Sequence, residues 1–444
     1  MQKDKQDAQV AIIGAGFSGT IAAVQLARRG IDVVLVGRGD QAGKGVAYST
    51  EDPAHLLNIP AAKMSAWPDR PDDFVDAIAD EGFGPEDYVP RMLFGRYLRR
   101  ILDESAVTLV ERGVVAVARS DDAWTVQLAD GRTIKAAALV LALGNQPPDA
   151  LPFALQLPER LFASDPWGAA GRAAIAAAVA SGGDMLVIGS GLSMVDVALS
   201  LDAAGHKGKL IALSRRGQMP RVSFPLRSEV PSSDPAPSGS LADLWRWVRT
   251  RSTEIDWRDA VDSVRPRTHE LWRSLSEVDQ RRFIRHARPW WDIHRHRVAP
   301  QVGATVKRMI KSGRMEVIGG RIKSLREMYG GIEAVVRRRR ATEADAPQQF
   351  SVGINCTGPL HAIKHTNDGV LRSLLDAGLV EPDHLGIGLK VDDQARVIGA
   401  ARLWAMGSLG KGRYWEIIAV PDIRVQAEMV ADSIARELND DAQS

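Results

Sequence analysis

The stretch VAIIGAGFSGTIAAVQLARRGIDVVLVG, Val10 to Gly37, decides the fold. Val10–Ile13 is a short apolar run suited to a buried parallel strand. Gly14-Ala15-Gly16-Phe17-Ser18-Gly19 fits G-x-G-x-x-G, a helical stretch follows to Arg29, Gly30 ends it, and Asp32–Val36 reads as a second strand. In such a βαβ unit Gly14 makes the tight turn, Gly16 lets the backbone approach a pyrophosphate, and Gly19 lets helix and strand pack closely. The anion sits on the helix N-terminus, where free N–H groups and the dipole favour negative charge. The stretch therefore predicts a dinucleotide site. An acid normally ends the second strand to hold a ribose hydroxyl. Here Gly37 stands there, followed by Arg38 and then Asp40. Either Asp40 reaches back or the ribose is held differently.

A second unit begins at Asp184, with Met185–Ile188 as strand, Gly189-Ser190-Gly191 as turn, Ser193–Ala204 as helix and Leu210–Leu213 as the next strand. Met194 replaces the third glycine, which predicts looser helix–strand packing. The unit ends in Ser214-Arg215-Arg216. Two arginines suit the 2′-phosphate of NADPH better than the hydroxyl of NADH. The alternative is a solvated arginine pair in a loop.

The chain repeats itself after each unit. Val107–Val110, Val114–Ala118 and a hairpin across Asp130-Gly131 lead to the buried strand of ALVLALGNQPP with Gly144. Met315–Ile318, Arg321–Leu325 and a hairpin near Gly330-Gly331 lead to SVGINCTGP with Thr357 and Gly358. LWAMGSLGKG, with Gly407, and a helix from about Pro421 to Leu438 close back over the first half. The expected fold is α/β: two Rossmann-like dinucleotide-binding domains with β-meanders and an inserted helical subdomain. The expected boundaries are 1–147, 148–362 with the insertion at about 220–301, and 363–444. A chain of 444 residues has room for two or three cores.

The insertion holds six of the 11 tryptophans, and the stretch from Arg265 to Lys311, which runs past its end, carries 12 Lys/Arg against four Asp/Glu. A lid or substrate wall is one reading, and tryptophans that only fill a core are the other. Pro231–Ser240 reads as a mobile loop. The net charge of +2 does not advertise a nucleic-acid or membrane partner. No apolar run reaches the ~18 residues needed to span a bilayer. With no signal-like start, a cytoplasmic protein without stable membrane insertion is expected. Cys356 is the single cysteine, which excludes an internal disulfide or a Cys-x-x-Cys pair. His294 and His296 lack the accompanying ligands of a metal site, so none is expected. His294–Arg297 reads instead as a strip for an anion.

Further segments carry a resemblance: GAGFSGT, GKGVAYST, HLLNIPAAKMSAWPD, VPRMLFGRYL, DPW at Asp165–Trp167, VIGSGLSMVDV, SRRGQMPR, HRHRVAP, INCTGP and WEIIAVPDIR. The chain resembles the FAD/NAD(P)-binding proteins of the YdhS-like group, within the flavoproteins that have two dinucleotide-binding domains. It is distantly similar to the NADPH-dependent flavin monooxygenases, including the N-hydroxylating ones. The resemblance implies FAD in the first site and NADPH in the second. It puts Gly14, Gly16, Phe17, Ser18 and Gly19 on the FAD pyrophosphate, with Arg38, Lys44, Gly45, Asn58, Met64, Gly144 and Gly407 along the rest of FAD. Gly189, Ser190, Gly191, Leu192, Ser193, Ser214, Arg215, Arg216, Thr357 and Gly358 fall to NADPH. Trp415 and Glu416 are expected against the isoalloxazine. Gly407-Ser408 stands where the family's Gly-Asp pair holds the ribityl chain.

Asn58 is expected nearest the reactive edge, as an amide that donates without titrating, or else as a turn-former before Pro60. Arg295, or Arg297 beside it, is expected to hold the substrate's anionic end. Arg91 reads as an anion contact or a surface ion pair, and His55 as a structural histidine. The expected enzyme is an FAD-dependent, NADPH-consuming oxidoreductase. The leading reading is a single-component monooxygenase acting through a C4a-hydroperoxyflavin on a small polar substrate such as an amine, with molecular oxygen as co-substrate. A reductase without oxygenation and a non-catalytic flavin-binding sensor are the alternatives. The oligomeric state is left open, a homodimer included.

Overall fold

The computed structural model describes residues 7–120, 122–223 and 237–443. β1 (Asp7–Ile13), α1 (Phe17–Arg28) and β2 (Val33–Gly37) form the first βαβ unit. The chain then wanders through α2 (Gly45–Tyr48) and α3 (Asp73–Ala77) before α4 (Arg91–Asp103). β3 (Thr108–Glu111), β4 (Val114–Ser120), β5 (Ala123–Leu128) and β6 (Thr133–Leu141) complete this part. The strand order is β3-β2-β1-β6-β5-β4. β1 pairs in parallel with β2 on one side and β6 on the other. Its last four residues are at most 3% exposed, which is why they read as an unbroken apolar run.

β7 (Phe162–Ala163), α5 (Ala169–Ser181), β8 (Met185–Ile188), α6 (Leu192–Ala203) and β9 (Leu210–Ser214) open the second sheet. After the insertion come α12 (Pro300–Lys311), β10 (Met315–Met328), β11 (Gly331–Arg338), β12 (Gln348–Phe350) and β13 (Val352–Asn355). The order is β12-β11-β10-β9-β8-β13-β7. The two strands expected over Met315–Leu325 are one. β10 runs parallel to β9 as far as Gly319, then antiparallel to β11 from Gly320. The Gly319-Gly320 pair, read as a break, passes one strand from the parallel sheet into the meander. Met194 is fully buried in this core, so the missing glycine is filled by packing.

The insertion comprises α7 (Leu241–Glu254), α8 (Trp257–Ser263), α9 (Thr268–Ser274), α10 (Glu277–Arg282), a π-helical turn over Phe283–Ala287, and α11 (Arg288–Arg295). Its ends meet: Val222 pairs with Val298, and Arg221 N–H donates to the Ile293 carbonyl. Of the loop expected over Pro231–Ser240, the part to 236 lies outside the described residues. Its last residue is ordered business: Ser240 caps α7 in a capping box with Asp243.

The chain returns to the first sheet through α13 (Gly369–Asp376), β14 (Leu403–Ala405) and α14 (Val420–Gln443). β14 pairs in parallel with the second half of β6. Among the described residues no helix is long and apolar enough to cross a membrane.

Candidate functional site

Two glycine turns are built alike. Gly14 has φ +107°, and a Cβ there would lie 2.2 Å from the Ala142 carbonyl oxygen at the end of β6. Gly189 has φ +114°, and its Cβ would lie 2.1 Å from the Cys356 carbonyl oxygen just past β13. In each half the turn is pinned against the neighbouring parallel strand, so only glycine fits. The N-cap glycines differ in kind. Gly16 (φ −83°) would meet only the Gly45 Cα, at 3.5 Å, and Gly191 (φ −87°) would meet nothing within 4 Å. Neither helix start has a side-chain cap. Each presents backbone donors beside open space, which is the chemistry that an anion needs. The turns therefore fit dinucleotide pyrophosphates.

Around the first turn, Gly45 (φ +62°) lies against Gly16, and a Cβ on Gly407 would lie 3.1 Å from Ser18 Oγ. Gly407 N–H donates to Gln426 Oε1 of α14 at 2.8 Å, and Ser408 donates to the Gly144 carbonyl. Gly14, Gly16, Ser18, Gly19, Lys44, Gly45, Gly144 and Gly407 thus gather at one end of the sheet. The Phe17 and Met64 side chains do not join them: both are core residues, and Phe17 packs on Phe94 with ring centroids 5.9 Å apart. The missing acid at Gly37 has a steric cause, because a Cβ there would lie 2.4 Å from Ala15 Cβ. Arg38 is exposed nearby; the Asp40 side chain lies outside the described residues.

At the second turn Ser190 donates to Ser214 Oγ at 2.8 Å, and Ser214 Oγ accepts from Gly217 N–H. Leu192 packs against the second core, and Ser193 beside it is partly exposed. Arg215 is exposed and Arg216 partly so. Thr357 donates through N–H and Oγ1 to the Asn355 amide oxygen, and Gly358 (φ +89°) faces open space.

Arg91 and the His294–Arg297 strip, read as possible anion contacts, bond within the protein, as does His55, read as a structural histidine. The Arg91 guanidinium pairs with both carboxylate oxygens of Asp196 on α6, at 3.0 and 3.1 Å. His55 bonds Thr50 Oγ1 at 2.8 Å and Ser200 Oγ at 3.0 Å, and Ser200 donates to Asp52 at 2.7 Å. Arg295 is not free to hold an anion: its Nε donates to Glu416 Oε2 at 2.9 Å, and both side chains are buried. Trp291 donates to the other Glu416 oxygen. Arg297 pairs with Asp262, His294 Nδ1 bonds the Trp290 carbonyl, and His296 stands 3.9 Å from Asp292. The strip expected to bind an anion is thus engaged within the protein.

Trp415 stacks on Trp272 (centroids 4.8 Å apart, 27° between planes), and Trp272 Nε1 donates to the Gly412 carbonyl at 2.9 Å. Glu416 takes φ +70°, a left-handed conformation rare for a residue with a side chain. Trp415 packs against the core of the insertion with Phe283 and Trp291, and Glu416 is held beside it by Arg295 and Trp291. Asn58 is partly exposed between Leu57, whose N–H bonds the Val89 carbonyl, and the short turn Ala61–Lys63. Among the described residues no three His, Cys, Asp or Glu side chains are placed to share a metal.

Two features escaped the sequence. Lys63 and Arg265 lie in one charged cluster with Arg295, Arg297 and Asp262. Burial, then the neighbouring cations, pushes the ammonium and guanidinium below their usual values. The second is a cleft between the domains, lined by Gly144, Asn145, Gln146, Leu360, Ser408 and Lys411. Its walls are the two segments that link the domains and the loop after β14. Only the loop motif GSLGKG pointed to it in sequence.

A sheet-end glycine turn with an uncapped helix, built twice, defines a protein with two dinucleotide-binding domains. Residues 11–146 match the FAD-NAD(P)-binding family, so the first of the two is an FAD-NAD(P)-binding domain. Comparison with curated protein sequences returns no match. Among solved structures the chain is similar to Kutzneria sp. 744 ornithine N-hydroxylase, in a complex described with reduced FAD, NADP+ and L-ornithine (TM-score 0.68, 16% identity, 97% of this chain and 100% of that one). It is also similar to L-lysine 6-monooxygenase from Pseudomonas syringae (TM-score 0.68, 13% identity, 97% and 99%). Bacillithiol disulfide reductase from Bacillus cereus matches too (TM-score 0.58, 17% identity, 97% and 100%). The likeness is one of fold, shared by a hydroxylase, a monooxygenase and a disulfide reductase.

Proposed function

We propose that the protein is an FAD-dependent, NADPH-oxidising enzyme that passes one oxygen atom of dioxygen to a small polar substrate, an amine being the favoured class. The observation that carries the reading is the pair of uncapped helix starts behind positive-φ glycine turns, one in each sheet. FAD, when bound, supplies the two-electron and oxygen chemistry. The chain's own residues bind, orient and exclude water. The N–H groups after Gly16 and Gly191 hold the two pyrophosphates, and Arg215 and Arg216 take the 2′-phosphate. The insertion packs by Trp272, Phe283 and Trp291 onto the loop carrying Trp415, and in this reading its role is to keep water from the reacting groups. Lys63, rather than Arg295, is the cation offered to a substrate carboxylate, beside Arg265, which pairs with Asp422 at 3.7 Å.

The bacillithiol reductase matches by fold, yet this chain has a single cysteine. Cys356 is buried, and burial, with Asp196 and Asp165, pushes its thiol far above the usual range. That favours oxygenation over thiol exchange through the chain's own sulfur. The test is the balance of NADPH consumed, hydrogen peroxide released and 18O transferred from labelled dioxygen, over a panel of amines and amino acids. Labelled product supports the proposal. One peroxide per NADPH with every compound overturns oxygenation, and purification without FAD overturns the cofactor.

A further inference from the structure

The topology fixes which half of each nucleotide lies where. In the first sheet the strand order reverses between β1 and β6, and a dinucleotide lies across that point. Its adenosine half lies over β2, where Gly37 and Arg38 stand. The other half must then run over the ends of β6 and β14, toward Gly144 and Ser408. In the second sheet the order reverses between β8 and β13. The 2′-phosphate side is over β9, with Arg215 and Arg216, so the nicotinamide side is over β13 and the segment through Gly358 to Leu360. Both reactive halves therefore converge on the cleft between Gly144, Gln146, Ser408 and Leu360.

Lys411 lines that cleft. It ends the tight turn Gly407–Gly410 and is partly buried. Among the described residues no ion pair or hydrogen bond of its ammonium is found. The charged groups facing it are Arg288 from α11, Asp383, and His361 on the second linking segment. Burial and then Arg288 push the ammonium down to about 8, against the opposing pull of Asp383. Asp383 is a poor counter-ion: burial raises its carboxyl, and Oδ2 has no partner. His361 is held by Asp149, and Arg288 by Asp292. The cleft thus keeps one cation uncommitted at the meeting point of the two nucleotides.

We propose that Lys411 faces the ring system of the flavin bound in this cleft and holds a positive charge against it, an inference that rests on the FAD and NADPH reading above. When the C–H bond of the nicotinamide breaks, its electron pair leaves with the hydrogen and the donor ring keeps the positive charge. The incoming pair brings negative charge into the cleft, and the Lys411 ammonium stands against it. The hydrogen and its electron pair would be taken up by the oxidised flavin, so no reactant beyond NADPH and FAD is needed.

Sulfite, an anion that adds to oxidised flavins, probes this charge without turnover. Sulfite affinity of the FAD-loaded protein should fall roughly ten- to a hundredfold in Lys411→Met and stay near the native value in Lys411→Arg. In the native protein it should weaken as pH rises through about 8. Competitive acetylation of the full native chain, read by mass spectrometry, needs no variant. Lys411 should titrate near pH 8 in FAD-stripped protein and be protected when FAD is restored. Unchanged sulfite affinity in Lys411→Met, or no protection by FAD, overturns the inference while leaving the cofactor assignment intact. Failure to bind FAD at all overturns the proposed function instead.

Discussion

Arg91, the first residue of α4, grips Asp196 in the middle of α6 with two parallel hydrogen bonds of 3.0 and 3.1 Å. The pair joins the two domains. Asp196 lies one turn beyond the glycine turn that starts α6, so its partner fixes where that turn points. Both side chains are nearly buried, at 11% and 7% exposure. Breaking a buried pair from one side leaves a charge without compensation and costs roughly 3–5 kcal/mol. Asp196→Ala should therefore lower unfolding stability by about that much in denaturant titrations. It should also slow flavin reduction by NADPH more than it weakens FAD binding. A full loss of stability with flavin reduction unchanged would separate the clamp from hydride transfer.

Gly14 and Gly16 should fail in different ways. Gly14→Ala forces a side chain into the Ala142 carbonyl at φ +107° and should prevent folding or yield aggregated protein. Gly16→Ala has ordinary φ and only a 3.5 Å neighbour, so it should fold with near-native thermal stability. It should nevertheless purify without stoichiometric flavin. The paired readouts are the visible spectrum and the melting temperature, and a yellow, stable Gly16→Ala protein would contradict the first site.

Coenzyme choice should rest on Arg215 and Arg216. Replacing both by alanine should raise the Michaelis constant for NADPH by roughly ten- to a hundredfold, from a contact of ~1.5–3 kcal/mol. NADH should change little. Equal loss with both coenzymes would assign the arginines to the shared pyrophosphate.

The acid limb of stability should trace to Glu416. Burial opposes its charge, but Arg295, His296 and the Trp291 N–H outweigh that and hold the carboxyl below its usual 4.5. A depressed acid adds stability that is full above the unfolded value and is lost as pH falls through the folded one. Tryptophan emission from the insertion should thus shift as pH drops below about 4.5. In Glu416→Gln this step should vanish, while stability at pH 7 falls because Arg295 loses its partner.

Trp291→Ala should cost roughly 3–5 kcal/mol, as an aromatic deletion in a packed core does. Trp290, 42% exposed on the same helix, should tolerate alanine. Greater peroxide release per NADPH in a still-stable Trp291→Ala protein would return Trp291 to the substrate wall.

Backbone requirements were legible in the sequence, while side-chain commitments were not. Gly14 and Gly189 could be read because a positive φ pressed against a neighbouring strand admits no other residue. Gly144, Gly358 and Gly407 were legible through positive φ alone, since a Cβ at the first two would meet nothing within 4 Å. Reading glycines this way misled at Gly319-Gly320, since a glycine pair marks a sheet-to-meander transfer as readily as a break. Arg295 looked available because a charge in a sequence shows no partner, and Glu416 lies 121 residues away. Lys411 was passed over for the complementary reason. Its interest comes from what surrounds it, namely Arg288, Asp383 and two interdomain links that are far apart in the chain.

The contact between Gly37 and Ala15 has a consequence for how this site can change. Restoring an acid at position 37 collides with the methyl group of Ala15, 2.4 Å from where the new Cβ would sit. Trimming Ala15 to glycine alone opens space in a turn that already carries Gly14 and Gly16, and glycine is the costliest residue to order. Each single step is therefore penalised, and even with glycine at position 15 a Cβ at position 37 still stands 3.0 Å from the backbone nitrogen of that residue. The two positions are locked together: an acid at the end of β2 calls for a shift of the turn's backbone and not for a change of side chain alone.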